Sequence, residues 1–216
     1  PAGLKAAELA VDRIHNRWFF RDENSGLHTS MSQEYVTETT EKYLAHFENS
    51  PQQASQVLVY SIMEKVALGC DAERWVDTTP ANARKANLIA PIYPQHKVIV
   101  MVRDGRDVAA SFVHQTFGPS DVFEAVALWE KRMIKSDQAV KRCEAGAVLT
   151  LDLQDLVVTE RDASLDLILE HCELEDSREM RDWFKARVTP DGSHAGRWRR
   201  DFDDSTCAVI DDVYSD

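Results

Sequence analysis

Residues 97–112, Lys-Val-Ile-Val-Met-Val-Arg-Asp-Gly-Arg-Asp-Val-Ala-Ala-Ser-Phe, leave the chain the least freedom in how it folds. Residues 98–102 are an unbroken apolar run rich in β-branched side chains, the pattern of a strand covered on both faces in a parallel sheet. Asp104-Gly105 ends the run. Asp caps a helix by accepting backbone N–H bonds, and Gly tolerates the turn. Apolar residues at 108, 109, 112 and 113 then recur at helical spacing. A strand, a tight turn and a helix put Arg103 at the carboxyl end of the strand, the edge where open α/β sheets bind ligands. Ser111 follows eight residues later, about two helical turns on. A guanidinium fork and a hydroxyl together grip a phosphate near a helix N-terminus. The plainer alternative pairs Arg103 with Asp104 or Asp107 and packs Ser111 on a helix face.

The 216 residues suffice for one α/β domain with a sizeable core, and 44% hydrophobic with 29% charged residues is ordinary globular composition. The net charge of −12 argues against nucleic acid as a partner and against a long polyanionic substrate, because both need a basic face. Arg197, Arg199 and Arg200 still allow a local basic pocket. The cysteines at 70, 143, 172 and 207 have neither metal-ligand spacing nor a disulfide pattern, which fits reduced thiols in a cytoplasmic protein. No apolar run reaches the length of a membrane span, and no signal peptide is evident.

Taken in order, the periodicity predicts a helix over 4–18 with Leu4, Ala7, Val11, Ile14 and Trp18 on its apolar stripe and His15 and Arg17 facing solvent. Ser30 and Gln33 form a capping box for a helix over 32–48. Ser50, Pro51 and Gln53 start another that Gly69 ends. A short strand over 73–78 places Asp77 and Thr78 at its carboxyl end, beside Arg103. Helices follow over 82–92, 121–143, 162–172 and 176–187, with a strand at 148–151; Lys131, Arg132 and Lys135 are a solvated face. A loop at 189–195 leads into Gly196-Arg197-Trp198, and the acidic tail shows no closing element. Three strands interleaved with helices predict a layered α/β domain over 1–216.

The string from Val102 to Phe112 resembles the 3′-phosphate-binding motif of sulfotransferases that use 3′-phosphoadenosine 5′-phosphosulfate (PAPS). Trp75-Val76-Asp77-Thr78-Thr79-Pro80-Ala81-Asn82 resembles their "W-x-E-K-T-P-x-N" segment, and Gly196-Arg197-Trp198-Arg199 their "G-R-W-R" segment. The three occur in the family's order across about residues 70–202.

The resemblance implies a P-loop-nucleotide-binding-like parallel sheet flanked by helices, with Arg103 and Ser111 on the 3′-phosphate. It implies sulfuryl transfer from PAPS to a hydroxyl or amine on a small-molecule, glycan or peptide acceptor, without a metal. Gly196, Arg197 and Trp198 join the cofactor site; Trp198 stacks on the adenine or fills the core, the core being preferred, and Arg197 or Arg199 reaches the 3′-phosphate or forms a solvated turn. Asp77 matches the Glu of "E-K-T-P" and becomes the candidate base, or else an ordinary turn residue. Thr78 replaces the family Lys. Asp22, Glu23 and His28 lie in a loop where some members carry the base, and His114 shares a helix face with Ser111. The family's phosphate loop has no counterpart: the eight glycines never flank a Lys-Ser or Lys-Thr pair, and Lys135-Ser136 falls within a helix. Residues 4–18 read as sequence downstream of that loop, so the expectation is a fragment lacking the first strand and phosphate loop and, on the wider reading, the last helix as well, in preference to a natural protein that has lost the loop. Two alternatives accompany it: a non-catalytic relative that binds 3′-phosphoadenosine compounds, and a nucleotide kinase of similar fold, which the missing Walker-type loop argues against.

Overall fold

Helix-forming sequence fills the first third of the chain, and in the computed structural model it folds into helices that pack on one another. Residues 2–116, 118–190 and 194–215 are described; the part of the expected loop at 191–193 lies outside them. The backbone forms two compact units, Pro1–Thr79 with Leu88–Pro94, and Pro80–Asn87 with Gln95–Asp216.

In the first unit, α1 (Ala2–Arg13) continues through a π-helical turn, Ile14–Trp18. Helices α2 (Gln33–Phe47) and α3 (Pro51–Gly69) form a hairpin around Ala7, Ile14, Met31, Val36, Tyr43, Leu58 and Ile62. The wider π turn rotates the end of the predicted stripe: Trp18 is 50% exposed and Phe19 packs on the core in its place. His15 is not a solvent-side residue. Its Nε2 lies 2.9 Å from Thr40 Oγ1 and its Nδ1 2.9 Å from Gln33 Nε2. The cap of α2 is Ser32, whose hydroxyl accepts from the Tyr35 N–H at 3.2 Å, not Ser30. Ser50 precedes Pro51 as expected, but its side chain makes no cap bond. Gly69 is the last residue inside α3. The left-handed turn falls on Asp71 (φ 52°), whose short polar side chain tolerates it.

The predicted strand over 73–78 is absent. Asp77 Oδ1 accepts the Thr79 N–H at 2.8 Å, a local turn that competes with extended pairing, and Pro80 has no N–H to give a ladder. The predicted helix over 82–92 shrinks to a 3₁₀ turn, Ala83–Lys85, and α4 (Ala86–Ile89).

The second unit is built on a parallel pair, β1 (Val98–Val102) and β2 (Val148–Asp152), in register from Val98 opposite Val148 to Val102 opposite Asp152. The crossover runs through α5 (Gly105–Phe112) and α6 (Val122–Val140). Arg132 on α6 is not solvated as expected; its guanidinium lies 5.0 Å from the Phe112 ring centroid. Helices α7 (Arg161–Cys172) and α8 (Arg178–Arg187) share a small core of Leu165, Leu169 and Phe184. The tail does close the unit. After α9 (Trp198–Asp201), helix α10 (Asp204–Ser215) buries Ile210 and Trp198 against Ala109, Ala110, Val122 and Val126. The outcome is a helix-rich α/β arrangement whose sheet, among the described residues, has two strands where three were expected. Among the described residues no helix is long and apolar enough to cross a membrane.

Candidate functional site

The second unit carries a site at the carboxyl ends of β1 and β2. Asp104 caps α5 as its sequence position predicts, Oδ1 accepting the Arg106 N–H at 2.9 Å. Gly105 opens the helix because a Cβ there would lie 2.5 Å from the Trp129 ring, so only glycine lets that indole rest on the turn. Arg103 leaves the strand and donates from Nη2 to the His194 carbonyl at 2.8 Å. The same nitrogen is 3.7 Å from Asp107 Oδ2. The plainer alternative is therefore half realised: Asp107 is near Arg103, but Asp104 is taken by Arg106.

Asp107 is 3% exposed and bonds two backbone groups, the Gly196 N–H at 2.9 Å and the Trp198 N–H at 3.1 Å. Arg106 lies between two rings, 4.7 Å from the Trp198 centroid and 4.6 Å from that of Tyr214, and also pairs with Asp211. These contacts hold α9 and α10 on the strand-turn-helix.

A cavity of about 370 Å³ opens here. Val102, Arg103 and Asp152 at the strand ends form one side; Leu153 and Gln154 follow β2; Trp129 and Tyr214 supply aromatic walls. Three carboxylates border the cavity with the single Arg103, but each is already engaged. Asp104 holds Arg106, Asp107 holds two amides, and Asp152 Oδ1 accepts the Gln154 N–H at 2.6 Å. The Arg106 cation offsets Asp104, whereas backbone amides orient Asp107 and Asp152 without cancelling their charge.

Burial pushes the Asp104 carboxyl up, but the Arg106 side chain and N–H, with Arg199, outweigh it and hold it below the ordinary value. A carboxyl depressed in the folded state stabilises the fold above its unfolded pKa, and that contribution disappears as pH falls through the folded value. Asp104→Asn keeps an oxygen for the cap and removes the charge. The stability gap between wild type and this variant should be full near neutrality and shrink below about pH 4. Thermal unfolding of both proteins across pH measures it; a gap that stays constant to low pH would show that the ion pair contributes nothing.

The other expected residues are dispersed. Ser111 is half-buried two turns along α5 and is not among the residues that line the cavity. Gly196 (φ +68°) sits in the left-handed region that favours glycine, and its N–H is committed to Asp107. Arg197 pairs with Asp201 at 2.5 Å, and Trp198 is 1% exposed in the core. His114 Nε2 is 3.4 Å from Asp201. Reasoning from the sequence missed Trp129, Gln154 and Tyr214. The first lay within the helix expected over 121–143, and nothing local marked the tail.

In the first unit, Asp77 is exposed and holds the turn at Thr79. Beside it Tyr60, Trp75 and Tyr93 form a triangle of rings with centroids 5.4–5.9 Å apart. Burial, then Tyr60, then the Asp77 carboxylate push the Tyr93 phenol up to about 12, so it stays protonated at neutral pH. Asp22 is bridged to Ser25, and the His28 ring stacks 4.7 Å from Phe20 with Nδ1 on the Phe19 carbonyl. Both are structural in their own loop. Among the described residues no group of three or more His, Cys, Asp or Glu is placed to hold a metal ion.

The sequence profile of the Sulfotransferase family matches residues 6–178. No curated protein and no solved structure matches the chain.

Proposed function

We propose, since this chain belongs to the sulfotransferase family, that the cavity at the carboxyl edge of its sheet receives the 3′-phosphate of PAPS and that the protein serves sulfuryl transfer to a hydroxyl or amine. The observation that carries this is Arg103: a guanidinium at the end of β1 that lines the cavity and gives one N–H to His194, leaving the rest of its fork to meet an anion.

PAPS supplies the sulfuryl group and departs as adenosine 3′,5′-bisphosphate. Arg103 binds and orients the 3′-phosphate, and Ser111, which lies outside the cavity lining, contributes less. Trp129 and Tyr214 keep water from the cavity walls. Asp77 is the proposed base: its carboxylate takes the acceptor proton as the new S–O bond forms and the bond to the phosphate oxygen breaks. Cationic stabilisation of the departing phosphate is the larger contribution in transfers of this kind.

Binding should separate two ligands. Adenosine 3′,5′-bisphosphate should bind measurably more tightly than adenosine 5′-phosphate by calorimetry, and equal affinities would overturn the assignment. Turnover with labelled PAPS should be slight, because the sequence has no Gly-rich Lys-Ser or Lys-Thr loop and Thr78 stands where the family has Lys. In a complete chain those two features favour the second reading, a relative that binds 3′-phosphoadenosine compounds without transfer. Robust turnover would exclude it.

A further inference from the structure

We propose that Asp107 is the positioning residue of this site: its buried carboxylate clamps the turn at 194–198 onto α5 and so sets where the Arg103 guanidinium points. The inference rests on the 3′-phosphate reading above and assigns the residue that makes the site cohere.

A carboxylate removed from water is costly unless it is hydrogen-bonded and paired. Asp107 meets that cost with the Gly196 and Trp198 N–H groups and with Arg103 at 3.7 Å. These contacts close a ring. Arg103 and Asp107 lie one turn apart, Asp107 holds Gly196 and Trp198, and the same segment offers the His194 carbonyl back to Arg103 at 2.8 Å. The segment needs holding: His194 (φ 51°) takes the left-handed region without being glycine, which strains it, and Gly196 (φ +68°) takes the same region. Without the clamp the turn is free to relax, and Arg103 loses the acceptor that fixes its direction.

The sign of the effect separates this role from a bystander's. A mere negative charge near an anion site repels phosphate, so neutralising it would tighten binding. A positioning residue predicts weaker binding on neutralisation. Asp107→Asn keeps the shape but can accept from only one of the two amides, its NH₂ facing the other.

The experiment compares wild type and Asp107→Asn by calorimetry with adenosine 3′,5′-bisphosphate and adenosine 5′-phosphate, and by amide hydrogen exchange. Affinity for the bisphosphate should fall about tenfold, equivalent to about 1.4 kcal/mol, while affinity for the 5′-phosphate is unchanged. Exchange at Gly196 and Trp198 should accelerate more than at amides elsewhere in the unit. Unchanged or tighter bisphosphate binding overturns the proposal, as does equal loss for both ligands. Should wild type itself show no preference for the 3′-phosphate, the functional reading fails; the exchange rates still judge the clamp, and unchanged rates overturn it. Should Asp107→Asn not fold, wild type supplies the test. Bound bisphosphate should then slow exchange at Gly196 and Trp198, and no slowing overturns the role.

Discussion

Trp198→Ala should cost about 3–5 kcal/mol of folding stability, the range for removing a fully buried aromatic side chain. The indole is 1% exposed and contacts the cluster of Ala109, Ala110, Val126 and Ile210. Those neighbours are small or already packed, so they relax poorly into the space left behind. The ring also carries two cations, Arg106 at 4.7 Å and Arg199 at 4.1 Å. Each such contact adds about 0.5–2 kcal/mol. Trp198→Phe should lose distinctly less. It keeps a ring for both guanidinium groups and removes an indole N–H that is buried without a hydrogen-bond partner among the described residues. Urea unfolding of the three proteins measures the series. An adenine platform would behave otherwise: the Ala variant would stay as stable as wild type and lose ligand affinity instead.

Arg103→Ala should weaken binding of adenosine 3′,5′-bisphosphate roughly 10- to 150-fold, from about 1.5–3 kcal/mol for a charge-assisted hydrogen bond and 1.4 kcal/mol per tenfold. Arg103→Lys restores the charge without the fork and should recover only part of the loss. Ser111→Ala should cost less than either, because a neutral donor is removed. The loss should vanish for adenosine 5′-phosphosulfate, which has no 3′-phosphate. Titrating both ligands against each variant is the measurement. Equal losses for the two ligands would mean that Arg103 acts through the His194 carbonyl to support the fold and does not read the 3′-phosphate.

Both residues were legible in the sequence, for different reasons. Arg103 stands at the end of a β-branched run that also names its own stop in Asp104-Gly105. Trp198 was marked by the Gly196-Arg197-Trp198 segment, and its preference for the core follows from its size. Asp77 was legible as a motif residue but not as structure. The expected strand over 73–78 lost to a local side-chain bond to Thr79, a competition that β-propensity does not register. Trp129 and Tyr214 carried no local signal of a site. Their rings meet 5.4 Å apart only because α6 and α10 pack around the same turn.

The sequence by itself determined the elements whose causes are neighbours along the chain: β1 and β2, the Asp104 cap, the glycine that opens α5, and the arginine at the strand end. Period, capping and turn chemistry act within a few residues, so a short window contains them. Only the tertiary structure decided what surrounds that arginine. Its acceptor is a carbonyl 91 residues away, and the Tyr214 hydroxyl that approaches the Gly105 N–H at 3.4 Å lies 109 residues on. Such contacts depend on how the apolar faces of α5, α6 and α10 bury one another, and no local pattern encodes a partner that distant.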